Sequence, residues 1–178
     1  DSLHLIKALD DAEPKVRQEA ARALGEIKSK SAVKPLIERL LKDDSVSVVT
    51  ICAQALANIG EEQALLPLVE SLTRGNYDLA FPIAFYPNLS KNKEAIRILL
   101  LAAENNNVNI RRQIAFILGE LKTRESIEKL RSSLHDDDKE VKINAMFSLS
   151  RIGTKPALSS IENVSNESGD EELKRLSL

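Results

Sequence analysis

Tryptophan is absent from this sequence of 178 residues, aromatic residues make up 3% of it, and it holds one cysteine and two histidines. A single cysteine, Cys52, excludes an intramolecular disulfide framework and fits a reducing compartment. The two histidines, His4 and His135, stand far apart and leave little material for a metal site. A dominant charge is lacking too: Lys+Arg 25 against Asp+Glu 27 gives a formal charge of -2. No global field therefore draws the chain to nucleic acid or to an anionic membrane, and any basic site must be local. Apolar runs such as Ile98-Leu99-Leu100-Leu101-Ala102-Ala103 fall far short of the roughly 20 residues that span a bilayer. The sequence opens on no signal-peptide pattern, so the expected location is cytoplasmic. What remains, 43% apolar and 29% charged residues, is the balance of one core-forming domain.

The chain repeats itself. Leu24-Gly25-Glu26-Ile27 aligns with Leu56-Ala57-Asn58-Ile59, Tyr86-Pro87-Asn88-Leu89, Leu118-Gly119-Glu120-Leu121 and Leu149-Ser150-Arg151-Ile152. The last residues of these anchors are spaced by 32, 30, 32 and 31 positions. Three further columns keep the register. Ten residues before each anchor end stand Arg17, Val49, Leu79, Arg111 and Lys142; sixteen before it stand Asp11, Asp43, Thr73, Asn105 and Asp136. Nine after it stand Leu36, Leu68, Ile98, Leu130 and Ile161. A period of this length marks a stacked-repeat architecture.

Each copy reads as two helices. Pro14 to Ile27 carries Val16, Ala20, Ala23, Leu24 and Ile27 at the three-and-four spacing of one buried stripe, and Pro14 suits a first turn, where no N–H is needed. The second helix, about Ala32 to Leu41, places Val33, Leu36, Ile37 and Leu40 on one face. Small residues Ala20, Ala21 and Ala23 permit close approach, and the short Lys28-Ser29-Lys30-Ser31 link makes the pair antiparallel. One hairpin cannot bury both of its faces, whereas a stack can, so the expected fold is an all-α solenoid.

These columns resemble the HEAT-repeat family, in particular the short PBS-lyase-type HEAT-like repeat. The matching text is Asp11-x5-Arg17 with Ala20-Ala21-x-Ala23-Leu24-Gly25-x-Ile27 and Ala32-Val33-x-Pro35-Leu36-Ile37-x-x-Leu40. The first and fourth copies match best, the second has Val49 in place of arginine, and the third departs most. The resemblance implies a right-handed superhelix of about five antiparallel helix pairs within a single domain, 1–178. Residues 3–9 would be the second helix of a preceding unit, followed by repeats at 14–42, 46–73, 76–104, 108–134 and 138–164. A polar cap or tail would occupy 165–178, with Leu173 and Leu176 docking a last short helix. On this reading the array begins mid-unit. The resemblance also implies a structural ladder of turn aspartates and helix arginines: Asp11, Arg17, Asp43, Arg111, Asp136 and Lys142. The rival reading of the same column is a phosphate-binding stripe of Arg17, Arg111 and Arg112.

Little chemistry is visible. Cys52 occupies the small-residue row of Ala20 and reads as a buried apolar residue rather than a nucleophile. The cluster His135-Asp136-Asp137-Asp138 is dense, but it stands in a turn where acids cap the next helix, and it lacks the glycine and alternating spacing of a calcium loop. The six glycines are scattered and follow no strand, so no phosphate loop is present. No catalytic, cofactor or metal residue is assigned, and no cofactor is expected.

Two features of the third repeat stand out. Its first helix should run from Asp78 to Leu89 with Pro82 in its interior, where proline kinks or splits a helix. Five of the six aromatic residues, Tyr77, Phe81, Phe85, Tyr86 and Phe116, fall in this helix, just before it, or in the matching helix of the next repeat. They read either as filling around a kink or as an aromatic patch formed by Tyr77, Phe81, Phe85 and Tyr86. Along the second helices, two positions off the core stripe read Lys34/Glu38, Leu66/Glu70, Ile96/Leu100, Glu128/Ser132 and Ser159/Asn163. Only the central copy is apolar at both. The HEAT resemblance puts second helices on a concave surface, so Leu66, Ile96, Leu100 and Leu101, with Glu70 and Arg97 at the rim, become candidate contacts for a partner. Cover by a chain terminus or by the kinked helix is the alternative.

The function expected from this pattern is a non-enzymatic scaffold that binds another protein or peptide. The family name supplies an alternative, a bilin-lyase-like protein handling a phycobilin or a phycobiliprotein. A HEAT-like nucleic-acid binder is a lesser alternative, disfavoured by the missing tryptophan and the charge balance. A HEAT-type iron hydroxylase would need His-Glu pairs, and neither histidine is followed by glutamate.

Overall fold

A computed structural model describes residues 2–75 and 78–167, with side chains through residue 164. Every regular element among the described residues is helical. The order is α1 (Ser2–Ala8), α2 (Pro14–Glu26), α3 (Val33–Lys42), α4 (Val46–Ile59), α5 (Leu65–Arg74), α6 (Ala80–Ala84), α7 (Lys93–Ala102), α8 (Val108–Leu121), α9 (Arg124–Ser133), α10 (Lys139–Ile152) and α11 (Lys155–Glu167). The chain divides into two compact units, Asp1–Ala95 and Ile96–Leu178. Tyr77, the side chains of the polar stretch from Ser165, and Leu173 and Leu176 lie outside the described residues.

In the first unit α2 packs on α4, α3 on α4 and α5, and the short α6 on both α4 and α5. The α3 stripe fills the core with Val33, Leu36 and Leu40 buried and Ile37 half-buried, but the α2 stripe holds only in part: Ala20 and Leu24 are buried, together with Ala21, Ala23 is half-buried, and Val16 and Ile27 are 41% and 55% exposed. The second unit repeats the plan, with α8 against α9 and α10, and α10 against α9 and α11. Its turns are better capped: the side chains of Asn107, Thr123 and Asp138 accept backbone N–H bonds at the starts of α8, α9 and α10, satisfying donors that have no partner within the helix.

The anchor glycines explain how closely first helices approach. A Cβ built on Gly25 would lie 2.7 Å from the Ala55 Cα of α4. One on Gly119 would lie 2.5 Å from the Ser148 Cβ of α10. In each case the next first helix crosses where a side chain would otherwise stand, so the glycine is a packing requirement.

The third repeat corrects the sequence expectation. Its first helix does not run from Asp78 to Leu89 but is the five-residue α6, and Pro82 is not in a helix interior. With Leu79 as N-cap, Pro82 is the third helical residue, where a backbone N–H has no acceptor in the helix, so the proline removes no bond. The helix then stops at Phe85, and Asn88 takes the left-handed conformation at φ 60° before the chain turns into α7. Pro87 accounts for the stop, because it cannot continue the ladder of hydrogen bonds.

Candidate functional site

The column of arginines and aspartates forms two similar clamps. Arg17 Nε and Nη2 each donate to the Asp43 carboxylate at 2.8 Å, and Nη2 also reaches Asp44 Oδ1 at 2.9 Å. Its Nη1 donates back to the Asp11 and Ala12 carbonyls. Arg111 does the same in the second unit. Nε and Nη2 grip Asp136 at 2.8 and 2.9 Å, and Nη1 reaches the Asn105 carbonyl at 2.9 Å. The arginine thus joins two successive turns, holding the earlier by carbonyls and the later by a bidentate carboxylate. Each acceptor aspartate is itself oriented by a backbone N–H two residues on, from Ser45 or Asp138.

Burial pushes the Asp43 carboxyl up, but the Arg17 hydrogen bonds, the Ser45 N–H and the guanidinium charge together hold it below its ordinary value. Hydrogen bonds from Arg111 lower Asp136 against the opposing effect of burial. Neighbouring Arg112 donates to both oxygens of Asp138 at 2.9 and 2.7 Å and pulls that carboxyl down to about 2. With Arg17, Arg111 and Arg112 engaged by carboxylates and carbonyls, the phosphate-stripe reading loses its donors. Asp138 also caps α10, so two acids of the His135 cluster are occupied in holding helices together. Lys142 continues the column without the pairing, making no ion pair among the described residues. The Asp11 carboxylate accepts the Glu13 N–H, at 2.8 Å, and meets no arginine side chain among the described residues. Cys52 is fully buried in α4, and burial pushes its thiol up to about 12, which leaves it unreactive at neutral pH.

The aromatic residues of the third repeat take two different roles. Tyr86 is 3% exposed and its hydroxyl donates to the Glu61 carbonyl at 2.7 Å, a bond from the third anchor to the turn after α4. Burial, and after it the charge of Glu61, push the phenol up to about 12. Phe81 on α6 and Phe85 at its C-cap, four residues apart, face outward with ring centroids 4.7 Å apart. The exposed rings and the buried phenol are therefore separate features.

On the second helices, Lys34 and Glu38 of α3 are exposed, whereas Leu66 and Glu70 of α5 are half-buried. In the second unit Ile96 and Leu100 of α7 are half-buried, Arg97 is exposed, and Leu101 is 62% exposed. Leu100 meets Arg124, Glu125, Glu128, Lys129 and Ser132 of α9 around an open cleft of about 500 Å³. Lys129 is held there by an ion pair with Glu104. The apolar floor and mixed-charge rim lie within one unit.

The model of the HEAT repeats family matches residues 2–80 and 96–178. The chain belongs to the HEAT repeat family. The matched spans leave out 81–95, the stretch that holds most of α6 and the turn after it. No curated protein matches the chain. Among solved structures, one of microtubule plus-end tracking by XMAP215, CLIP-170 and EB1 is similar at 13% identity and TM-score 0.65, covering 97% of this chain and 86% of that one. A designed armadillo repeat protein in complex with the peptide (KR)4 is similar at 18% identity and TM-score 0.56, covering 98% and 95%. The complex of CpcE and CpcF of phycocyanin lyase from Nostoc sp. PCC7120 is similar at 19% identity and TM-score 0.52, covering 98% and 79%. These likenesses establish the solenoid type of fold. No helix among the described residues is long and apolar enough to cross a membrane.

For these HEAT repeats, sequence reasoning missed the Arg112–Asp138 pair and the Tyr86 hydroxyl bond. The first was signalled by spacing, because Arg112 stands one residue after Arg111 and Asp138 two after Asp136. The second had no sequence signal, since Tyr86 occupies an ordinary leucine column. The close contacts of Gly25 and Gly119 were signalled by their shared position in the two best-matching copies.

Proposed function

We propose that this HEAT-repeat chain is a non-enzymatic scaffold that binds a partner protein or peptide through its second helices. In the second unit the contacts would be Ile96, Arg97, Leu100 and Leu101 on α7; taken by itself, the first unit offers Leu66 and Glu70 on α5. The observation that carries this reading is the cleft between α7 and α9, where Leu100 lies among charged residues of both signs and Leu101 beside it stands exposed. An apolar floor with a charged rim suits a peptide that inserts one or two apolar anchors between polar flanks. The designed armadillo repeat protein in complex with the peptide (KR)4, similar to this chain in fold, supports a peptide as the class of partner.

The test is capture from a lysate by the chain and by an Ile96→Glu/Leu100→Glu variant, after circular dichroism has shown both to be equally helical. A binder held by the first and lost by the second supports the reading and identifies the partner. Equal capture overturns it. The lyase neighbour makes phycocyanobilin a useful second probe: a visible-band shift on adding it, lost in a Phe81→Ser/Phe85→Ser variant, would move the function to chromophore handling.

A further inference from the structure

In the first unit, the turns that follow the first helices of the second and third repeats meet around a partly enclosed cavity of about 200 Å³. Leu65 and Pro87 supply its apolar lining, and Glu62 and Lys91 stand on it with opposite charges. The surrounding turns are tied together. Tyr86 places its hydroxyl on the Glu61 carbonyl, the Pro87 ring lies against Gly60, and Asn88, left-handed at φ 60°, leads into the short 3-10 turn that ends at Lys91. The cavity shares no residue with the second-helix surface proposed above.

The repeat register shows what sets this junction apart. At the junction before it, Lys30 stands three residues after its anchor end and Glu61 two after the next, and they close on each other at 2.8 Å. Glu62 and Lys91 hold the same two positions here, with the signs exchanged. Yet no ion pair joins them, and among the described residues neither side chain has an ionic or hydrogen-bond partner. Positions that meet directly at one junction thus stand unpaired around a cavity at the other. The two asparagines on the lining add polar groups: Asn92 gives its Oδ1 to the Ala95 N–H and keeps its NH2 group, while the Asn88 amide is unpaired among the described residues.

A volume below the roughly 300–1,000 Å³ of sites for drug-sized ligands suits a small metabolite. A simple anion would leave Glu62 unmatched and a simple cation would leave Lys91 unmatched, whereas one molecule bearing both charges answers both. We propose that this cavity binds a free α-amino acid with a short aliphatic side chain. Its ammonium pairs with Glu62 and its carboxylate with Lys91, and the side chain rests on Leu65 and the Pro87 ring.

The test is a titration of the full, isotope-labelled chain with L-alanine, L-valine and L-leucine, followed by backbone amide chemical shifts. Two exposed charges support millimolar affinity at best, so the titrations reach about 50 mM. Saturable shifts are expected at Gly60, Lys91 and Asn92 with at least one of the three. Glu62→Gln and Lys91→Met, both at exposed side chains, should each weaken binding about tenfold, with helicity checked by circular dichroism. The matching 2-hydroxy acid, in which a hydroxyl replaces the ammonium, should bind wild type as weakly as the amino acid binds Glu62→Gln. It should lose nothing further in that variant, because both changes delete one pair. Methylammonium acetate, which carries the same charges on separate ions, should not saturate these shifts. No saturable shift with any of the three amino acids, or equal binding by wild type and either variant, overturns the proposal. So does saturation by methylammonium acetate at the same concentrations, since the site would then be two solvated charges that attract counter-ions.

Discussion

The junction of α2 with α4 and that of α4 with α6 join successive repeats of one unit, yet they are closed by different means. In the first, a glycine brings the helices together, and a buried arginine ties two turns through a carboxylate. In the second, Val49 stands where the arginine would be, and the tie is a tyrosine hydroxyl on the Glu61 carbonyl. Gly60, at φ 74°, lies against the Pro87 ring there. The difference teaches that a repeat can lose its ionic tie and most of its first helix and still stack, provided that a large buried side chain carries a hydrogen bond across the gap. It also separates a regular junction, written in columns, from an improvised one that no column records.

Breaking the regular junction should have the largest effect. Arg17→Met would strand Asp43, whose side chain is 1% exposed, and Tm should fall on the order of 10 °C. Differential scanning calorimetry of this variant beside Arg111→Met sharpens the comparison. The Arg111 and Asp136 side chains are 18% and 12% exposed, so water compensates more of the loss there and the fall should be smaller.

Acid provides a graded version of the same break. Asp43, Asp136 and Asp138 have folded-state pKa values below their unfolded ones. The stability they contribute is therefore complete above the unfolded carboxylate range and lost as pH falls through the folded values. For Asp138, lowered to about 2, the decline should run from roughly pH 5 down to its folded value. Urea midpoints measured across that range should fall less steeply in Arg112→Met, which removes the cause of the shift. An unchanged slope would deny the pair its role.

The improvised junction should yield smaller numbers. Tyr86→Phe keeps the ring and loses one hydrogen bond, leaving the Glu61 carbonyl without that donor, for about 1 kcal/mol by urea denaturation. Phe81→Ser, on the exposed ring pair, should stay within about 0.5 kcal/mol of wild type. A large loss from Phe81→Ser would mean that the outward rings are structural, and the contrast with Tyr86 would collapse.

The sequence was most legible where a pattern recurs. The alternation of helices, the buried stripe of α3, the Ala20 and Leu24 part of the α2 stripe and the small-residue row containing Cys52 all follow from three-and-four spacing repeated at an interval of about 31. Recurrence distinguishes a constraint from an accident. The α6 region was legible only as an exception: two prolines in a helix column signal a break, but its position depends on which backbone N–H groups have acceptors. Pro82 costs nothing as the third residue of a short helix and would be disruptive in a long one. The second-helix candidates were found by asking which positions off the core stripe are apolar. That question locates a surface without naming what meets it.

By itself, then, the sequence determined the fold class and the identity of the columns, because periodic burial of apolar side chains is a local rule read residue by residue. The tertiary structure decided which acid each arginine holds, how closely the glycines let helices approach, and that Tyr86 turns inward while Phe81 and Phe85 turn out. Those outcomes depend on distances between residues some 25 positions apart. Only the folded backbone sets such distances, and it sets them by packing a whole face at once.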